Sequence, residues 1–186
     1  MLPKWFTPLT VAIVAGLSIW LLSREAPKQQ QLITINKSIP DTFMENLSTY
    51  NLDKKGILRH ELKADYMAHY PFDDHSDFKS PELILYHSGK KHWSISADKG
   101  TTKKDIDEII LQGKVNIYRL DKTTGKPDLT INTAEVLIRP DEAYLETDKT
   151  ISITSGKQRI QSVGIRANLD AGTVELLSHV RGVYAL

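Results

Sequence analysis

Three groups of residues in this chain have types and spacings that could do chemistry. Two are Ser-x-x-Lys tetrads, Ser76–Lys79 and Ser96–Lys99, and the third is a histidine–aspartate cluster of His69, Asp73, Asp74 and His75. A serine close to a lysine supplies the nucleophile and base of a Ser–Lys hydrolase. The companion motifs of those hydrolases are missing here, and in an extended strand Ser96 and Lys99 would face opposite sides. Histidine and aspartate ligate metals, but ligand spacing without a preorganised turn is a weak signal, and the cluster reads as a solvated loop before a strand. His60, His87, His92 and His179 have no partner pattern. No Gly-x-Ser-x-Gly elbow, His-Glu-x-x-His pair or phosphate loop occurs. The absence of cysteine removes thiol nucleophiles, disulfides, zinc ribbons and iron–sulfur clusters. Lys90-Lys91-His92-Trp93 is a basic spot beside an aromatic ring, explained by a turn followed by the first core residue of a strand. The reading is therefore a non-enzyme without cofactor or metal, whose useful surfaces are its apolar interior and its edges.

The elements that would form those surfaces follow from composition and periodicity. A chain of 186 residues with 40% hydrophobic content suffices for one domain with a core. Its 24 Lys+Arg and 23 Asp+Glu give a net charge of +1, so no basic field favours nucleic acid. A mean hydropathy of −0.31 argues against a polytopic membrane protein. That average hides an uneven distribution. Trp5 to Leu22 is an uncharged run of 18 residues, 13 of them apolar. As a helix it would be about 27 Å long, close to the roughly 30 Å of a bilayer core. Pro8 falls in its first turn, and Trp5 and Trp20 stand near its two ends. No small-x-small cleavage site follows, so a permanent single-span anchor fits better than a signal peptide. The positive-inside count leaves its orientation open. The expected organisation is a short tail (1–4), a transmembrane helix (5–22), a polar linker (23–40) and a folded domain (41–186). Lys4, Arg24 and Lys28 are the basic residues of the first 28 and Glu25 the acidic one, so the net charge of the remainder is −1.

From residue 43 onward the pattern has period 2. Trp93, Ile95 and Ala97 alternate with serines, and Val115 with Ile117, Leu129 with Ile131 and Ile151 with Ile153 each flank a polar residue. Val163, Ile165, Ala167 and Leu169 continue the pattern, and Val174 and Leu176 flank Glu175. Such alternation predicts strands with one buried face. Turn residues punctuate it at Ser88–Lys90, Thr101–Asp105, Asp121–Pro127, Pro140–Glu142, Ser155–Lys157 and Asp170–Gly172, as in an antiparallel sandwich or jelly roll. Ala64-Asp65, Ala97-Asp98, Ala134-Glu135 and Ala167-Asn168 recur at spacings of 33, 37 and 33, and Leu111–Tyr118 is echoed by Leu177–Tyr184. A period in the thirties suggests a strand-pair unit stacked on itself. The last segment, Thr173–Tyr184, predicts an unpaired edge open to strand addition.

Several segments together carry a resemblance to a known family. They are Gly56-x-x-x-x-x-Leu62-x-Ala64, Tyr70, Phe78-x-x-Pro81, Trp93-Ser94-Ile95-Ser96-Ala97-Asp98 and Leu111-x-Gly113-x-Val115. With the N-terminal anchor, the chain resembles the LptC family of lipopolysaccharide export proteins. Gln112 stands where the family often has tyrosine. The resemblance implies an all-β fold, a twisted open antiparallel β-jelly roll of the OstA/LptA type preceded by one transmembrane helix. It implies a single-pass protein of the cell inner membrane with its C-terminal domain in the periplasm. There it would receive lipopolysaccharide from LptF and LptG, driven by the ATPase LptB, and hand it to LptA. Phe78 aligns with an aromatic near the mouth of the family's trough. Leu47, Trp93, Ile95, Val115, Ile117, Leu129, Ile131, Ile151 and Ile153 are the further lipid-facing candidates by alternation. Thr173, Val174, Leu176, Val180, Val183 and Tyr184 are the candidates for docking LptA; residues 41–52 and the anchor are those for the transporter. The alternative is a structural adaptor that docks LptA onto the transporter without touching lipid.

Overall fold

A computed structural model describes Trp20, residues 39–103 and residues 107–184. Trp20 is helical. The expected anchor and linker otherwise lie outside the described residues. Among the described residues no helix is long and apolar enough to cross a membrane.

Eleven antiparallel strands form one sheet. They are β1 (Thr42–Leu52), β2 (Leu58–Tyr70), β3 (His75–Lys79), β4 (Glu82–His87), β5 (Lys90–Ser96), β6 (Lys99–Lys103), β7 (Ile109–Leu120), β8 (Pro127–Arg139), β9 (Tyr144–Ser155), β10 (Gln158–Asn168) and β11 (Thr173–Tyr184). A single 3-10 turn, Pro140–Glu142, joins β8 to β9. The long strands serve two layers. The first part of β2 pairs with β4 and its last part with β3, while β7 pairs with β6 through its first residues and with β5 through its last. β8, β9 and β10 repeat this division, each ladder breaking register midway. One layer therefore contains β4 and β5, the other β3 and β6, and both feed a single core.

Bulges make the corners. Gly113 in β7 has φ +92° and Gly164 in β10 φ +81°, values that suit glycine, and His179 in β11 and Asn46 in β1 also take positive φ. The Leu111–Tyr118 and Leu177–Tyr184 echo is thus structural, because the third residue of each, Gly113 or His179, turns the corner. Ala64-Asp65 and Ala97-Asp98 also sit at corners. Ala134-Glu135 lies in the irregular stretch of β8 between Asn132 and Leu137, and Ala167-Asn168 lies three residues past the corner of its strand, out of phase.

Three expectations need correction. Thr101–Asp105 is not a turn through its described part, since Lys99–Lys103 is β6, paired on both sides by β3 and β7. Threonine favours strands, and Thr101 Oγ1 donates to Asp77 at 2.8 Å across the ladder. Val163 does not face inward, whereas Val174, opposite the buried Ala167 across the ladder, keeps the expected face although it is exposed. The bulge at Gly164 shifts the phase of β10, so Ser162 is buried and Val163 is 36% exposed, and Val174 lies on the open edge strand. The Ser162 hydroxyl donates to the Gly164 carbonyl at 2.8 Å, satisfying a group that the bulge frees. Ser96 and Lys99 lie on different strands, either side of the Ala97-Asp98 corner.

The histidine–aspartate cluster ties the start of β1 to the β2–β3 turn. His69 contacts Asp41 through Nδ1 at 2.8 Å and Asp74 through Nε2 at 3.0 Å, and His75 bonds Asp73 and stacks on Tyr70. Hydrogen bonding to Asp41 and Asp74 raises the pKa of His69, and the same bond from His69 holds Asp41 below the ordinary carboxylate range. The latch is complete between the ordinary carboxylate value, about 4, and the ordinary histidine value, about 6.5. It is lost as the pH rises through the raised His69 value, and as it falls through the depressed Asp41 value. His69→Gln should therefore lower the urea midpoint at pH 5.5 more than at pH 9. An equal loss at both would show that the latch does not act.

Candidate functional site

The interior is built from rows of apolar residues in register across the strands. In the β4–β5 layer, Leu62 pairs with Leu83, Leu83 with Ile95, Ile95 with Ile117, Ile117 with Ile131, Ile131 with Ile153 and Ile153 with Ile160. Seven aliphatic side chains thus cross seven strands, spanning about 29 Å at the usual inter-strand spacing. The opposite layer supplies Met67, Phe78, Gly100, Leu111 and Val136 in register, and beside them Ile109, Ile138, Leu145 and Ala167. Hairpin turns fix the alignments between consecutive strands, and period-2 alternation turns the row members inward. Gly100 sits in a tight place, since a Cβ there would stand 3.0 Å from the Leu111 side chain and 3.1 Å from that of Pro81, which would have to give by a few tenths of an ångström.

Members of the long row line two clefts, Leu62 and Leu83 one and Ile131 and Ile153 the other. One, of about 280 Å³, is lined by Leu62 and Leu83 with Thr49, Tyr50, Asn51, His60, Asp107 and Asp141. Here the layers are tied by Arg59, whose guanidinium lies 3.2 Å from the Asp141 carboxylate and donates to the Asp141 carbonyl at 2.6 Å. The other, of about 380 Å³, has an apolar floor of Trp93, Leu129, Ile131, Ile153, Ala167 and Leu169. That volume is at the lower end of the ~300–1,000 Å³ usual for ligand pockets. Its rim carries Arg119 and Asp128, paired through two bonds of 2.8 and 2.9 Å, with Lys122 and Asp170. Trp93 Nε1 donates to the Leu169 carbonyl at 3.2 Å, so the β10–β11 turn is held against β5.

The whole-chain pattern matches the family model for lipopolysaccharide-assembly, LptC-related proteins over residues 8–185. The chain belongs to the LptC family. No curated protein sequence matches it. Among solved structures it is similar to LptH of Pseudomonas aeruginosa, described as the LptA-homologous periplasmic component of the conserved lipopolysaccharide transport device. The identity is 7%, the TM-score 0.51, and the match covers 68% of this chain and 95% of LptH. That likeness is one of fold, an LptA-like antiparallel β architecture.

In this LptC-family chain the lipid-facing candidates fall into four places. Ile95, Ile117, Ile131 and Ile153 belong to the long row, and Trp93, Leu129, Ile131 and Ile153 to the larger cleft. Val115 and Ile151 are buried in the core, whereas Leu47 is only partly buried, near the corner of β1. Phe78 is 5% exposed, in the β3–β6 layer, and does not line the larger cleft. The interior between the clefts is packed, with Ile95, Val115, Ile117, Ile131 and Ile151 shut off from water. Thr173, Val174, Val180, Val183 and Tyr184 are exposed on β11, and Leu176 is partly buried against the core. The outer side of β11 and the outer side of β1 are both unpaired among the described residues.

Sequence reasoning missed Leu62, Leu83 and Ile160 as row members and Leu169 as a cleft residue. Leu83 could be found by aligning it with Ile95 about the Ser88-Gly89 turn. Leu169 lies 76 positions from Trp93, and no local signal connects them.

Proposed function

We propose that this LptC-related lipopolysaccharide-assembly protein serves in the lipopolysaccharide transport bridge by sheltering acyl chains between its two layers. The observation that carries this reading is the aliphatic row that opens into two separate clefts, at Leu62 and Leu83 and at Ile131 and Ile153. Burying a methylene yields about 0.8 kcal/mol wherever it lies along such a row, so a chain moving along it meets no deep minimum. No catalytic group is required. In this reading the anchor at 5–22 holds the chain in the inner membrane, the β domain is periplasmic, and LptF and LptG load it near β1. The β11 edge then passes lipid to LptA. Each long strand serves both layers, so one strand added at β11 would extend both walls together.

A second reading, the adaptor that never touches lipid, is favoured by the packed interior. A photo-crosslinking residue at Phe78, Trp93 or Ile131 in cells separates the two. Lipopolysaccharide adducts at interior positions are the expected result, and none at any of them would leave the adaptor alone. Ending the chain before Thr173 should abolish LptA binding while the domain stays soluble. Unchanged affinity would rule out docking at β11.

A further inference from the structure

The sequence motif Lys90-Lys91-His92-Trp93, unused so far, acquires a neighbour through the fold. A second cavity of about 280 Å³ is lined by His87, Ser88, Lys90, Lys91, His92 and Lys122, which brings the β4–β5 hairpin beside the β7–β8 hairpin. His92 and Lys122 also line the larger apolar cleft, so a cationic hollow and an apolar floor share one boundary. The carboxylates nearby are engaged. Asp128 is held by Arg119, and Asp121 accepts from the Thr123 and Thr124 amides and the Thr124 hydroxyl. Asp170 lies 3.6 Å from His87, and Glu61 is held by Lys63 and Tyr86. Lys90, Lys91 and Lys122 make no ion pair among the described residues. His92 Nδ1 is buried and has no hydrogen-bond partner. Burial lowers the pKa of His92, helped by the positive charges of Lys122, His87 and Arg119 and opposed by Asp170. Three lysines without an ion pair therefore stand together where an apolar cleft begins, with Asp121, Asp128 and Asp170 on the cleft side of the boundary.

We propose that the two cavities form one subsite for a phosphorylated lipid. An acyl chain lies over Trp93, Leu129 and Ile131, and its phosphate is bound by Lys90, Lys91 and Lys122. The inference rests on the lipid-shelter reading and adds to it the headgroup chemistry and its place. Ammonium–phosphate contacts are charge-assisted, and two or three at a partly screened surface are expected to give about tenfold in affinity.

The test measures binding of the full-length chain to bisphosphorylated hexa-acyl lipid A and to the same lipid after phosphatase treatment. Wild type should prefer the phosphorylated lipid about tenfold. Lys90→Gln/Lys91→Gln/Lys122→Gln should erase that preference and leave binding of the dephosphorylated lipid unchanged. Lys54→Gln/Lys55→Gln/Lys157→Gln, an equal charge change at exposed lysines elsewhere, should retain the preference. Equal binding of the two lipids by wild type, or an equal effect of the two triple variants, overturns the subsite and leaves the lipid shelter standing. Displacement of the lipid by inorganic phosphate at matched concentration assigns the cluster to the free anion and also overturns it. Failure of wild type to bind either lipid overturns the shelter itself.

Discussion

Locking the two layers together at the smaller cleft will stop lipid uptake. Arg59 and Asp141 face each other there from opposite layers, and the chain has no cysteine, so Arg59→Cys with Asp141→Cys creates the only thiol pair in the protein. A short, cleavable bis-maleimide bridging them holds the layers at their closed spacing. The buried row between the clefts leaves no room for an acyl chain in that state, so uptake requires the layers to part. A covalent tie across them should reduce lipid binding by about tenfold or more, as expected when the competent state is depopulated. Cleaving the linker should restore binding, and the same reagent on Arg59→Cys alone should have no effect. Full uptake by the fully bridged protein would mean that lipid binds without the layers parting at the smaller cleft.

The largest stability effect is expected at a corner. Gly113 has φ +92°, and a Cβ built on it would stand 2.8 Å from Asp98 Cβ. Asp98 is not free to withdraw, because its carboxylate accepts from the Lys114 amide at 2.7 Å. Gly113→Ala combines the left-handed backbone cost of roughly 1–2 kcal/mol with an overpacking cost of about 1–3 kcal/mol. Gly125 supplies the internal control. Its φ is +68°, but nothing lies within 4 Å of its missing Cβ. Gly125→Ala should therefore lose only the backbone part, and urea unfolding of the two variants isolates the clash. Equal losses would show that Asp98 moves aside at no cost and that the corner is softer than its geometry indicates.

The strands were legible because their information is local. Trp93-Ser94-Ile95-Ser96-Ala97 declares its inward face within five residues, and the turn at Ser88-Gly89 declares its hairpin. The corners were legible only where glycine marks them. Gly113 and Gly164 interrupt alternating strands, a signal for a bulge, whereas Asn46 and His179 turn their corners without advertising it. Val163 was misplaced because plain alternation was carried through the bulge at Gly164, and one extra residue there reverses everything before it. β6 was hidden because Lys99–Lys103 is polar, and its strand character comes from the ladders to β3 and β7 on its two sides. The lipid-facing candidates were recovered as interior residues, because alternation reports burial. It does not report which interior residues line an opening. That property depends on where the β10–β11 turn meets β5, and on Lys122 reaching the hairpin that carries Lys90.

Among the described residues, two unpaired edges give the domain a valency. β1 offers one side and β11 the other, and the two differ in sequence and in what they expose, with Val183 69% and Tyr184 62% accessible on β11. A subunit whose two unlike ends could each accept a strand would be a bifunctional monomer in the polymer chemist's sense. Joined head to tail without a closing rotation, such units form an open chain rather than a ring. The length of that chain is set by stoichiometry. Excess subunits lengthen it, and any protein that occupies one edge without offering a second terminates growth at that end.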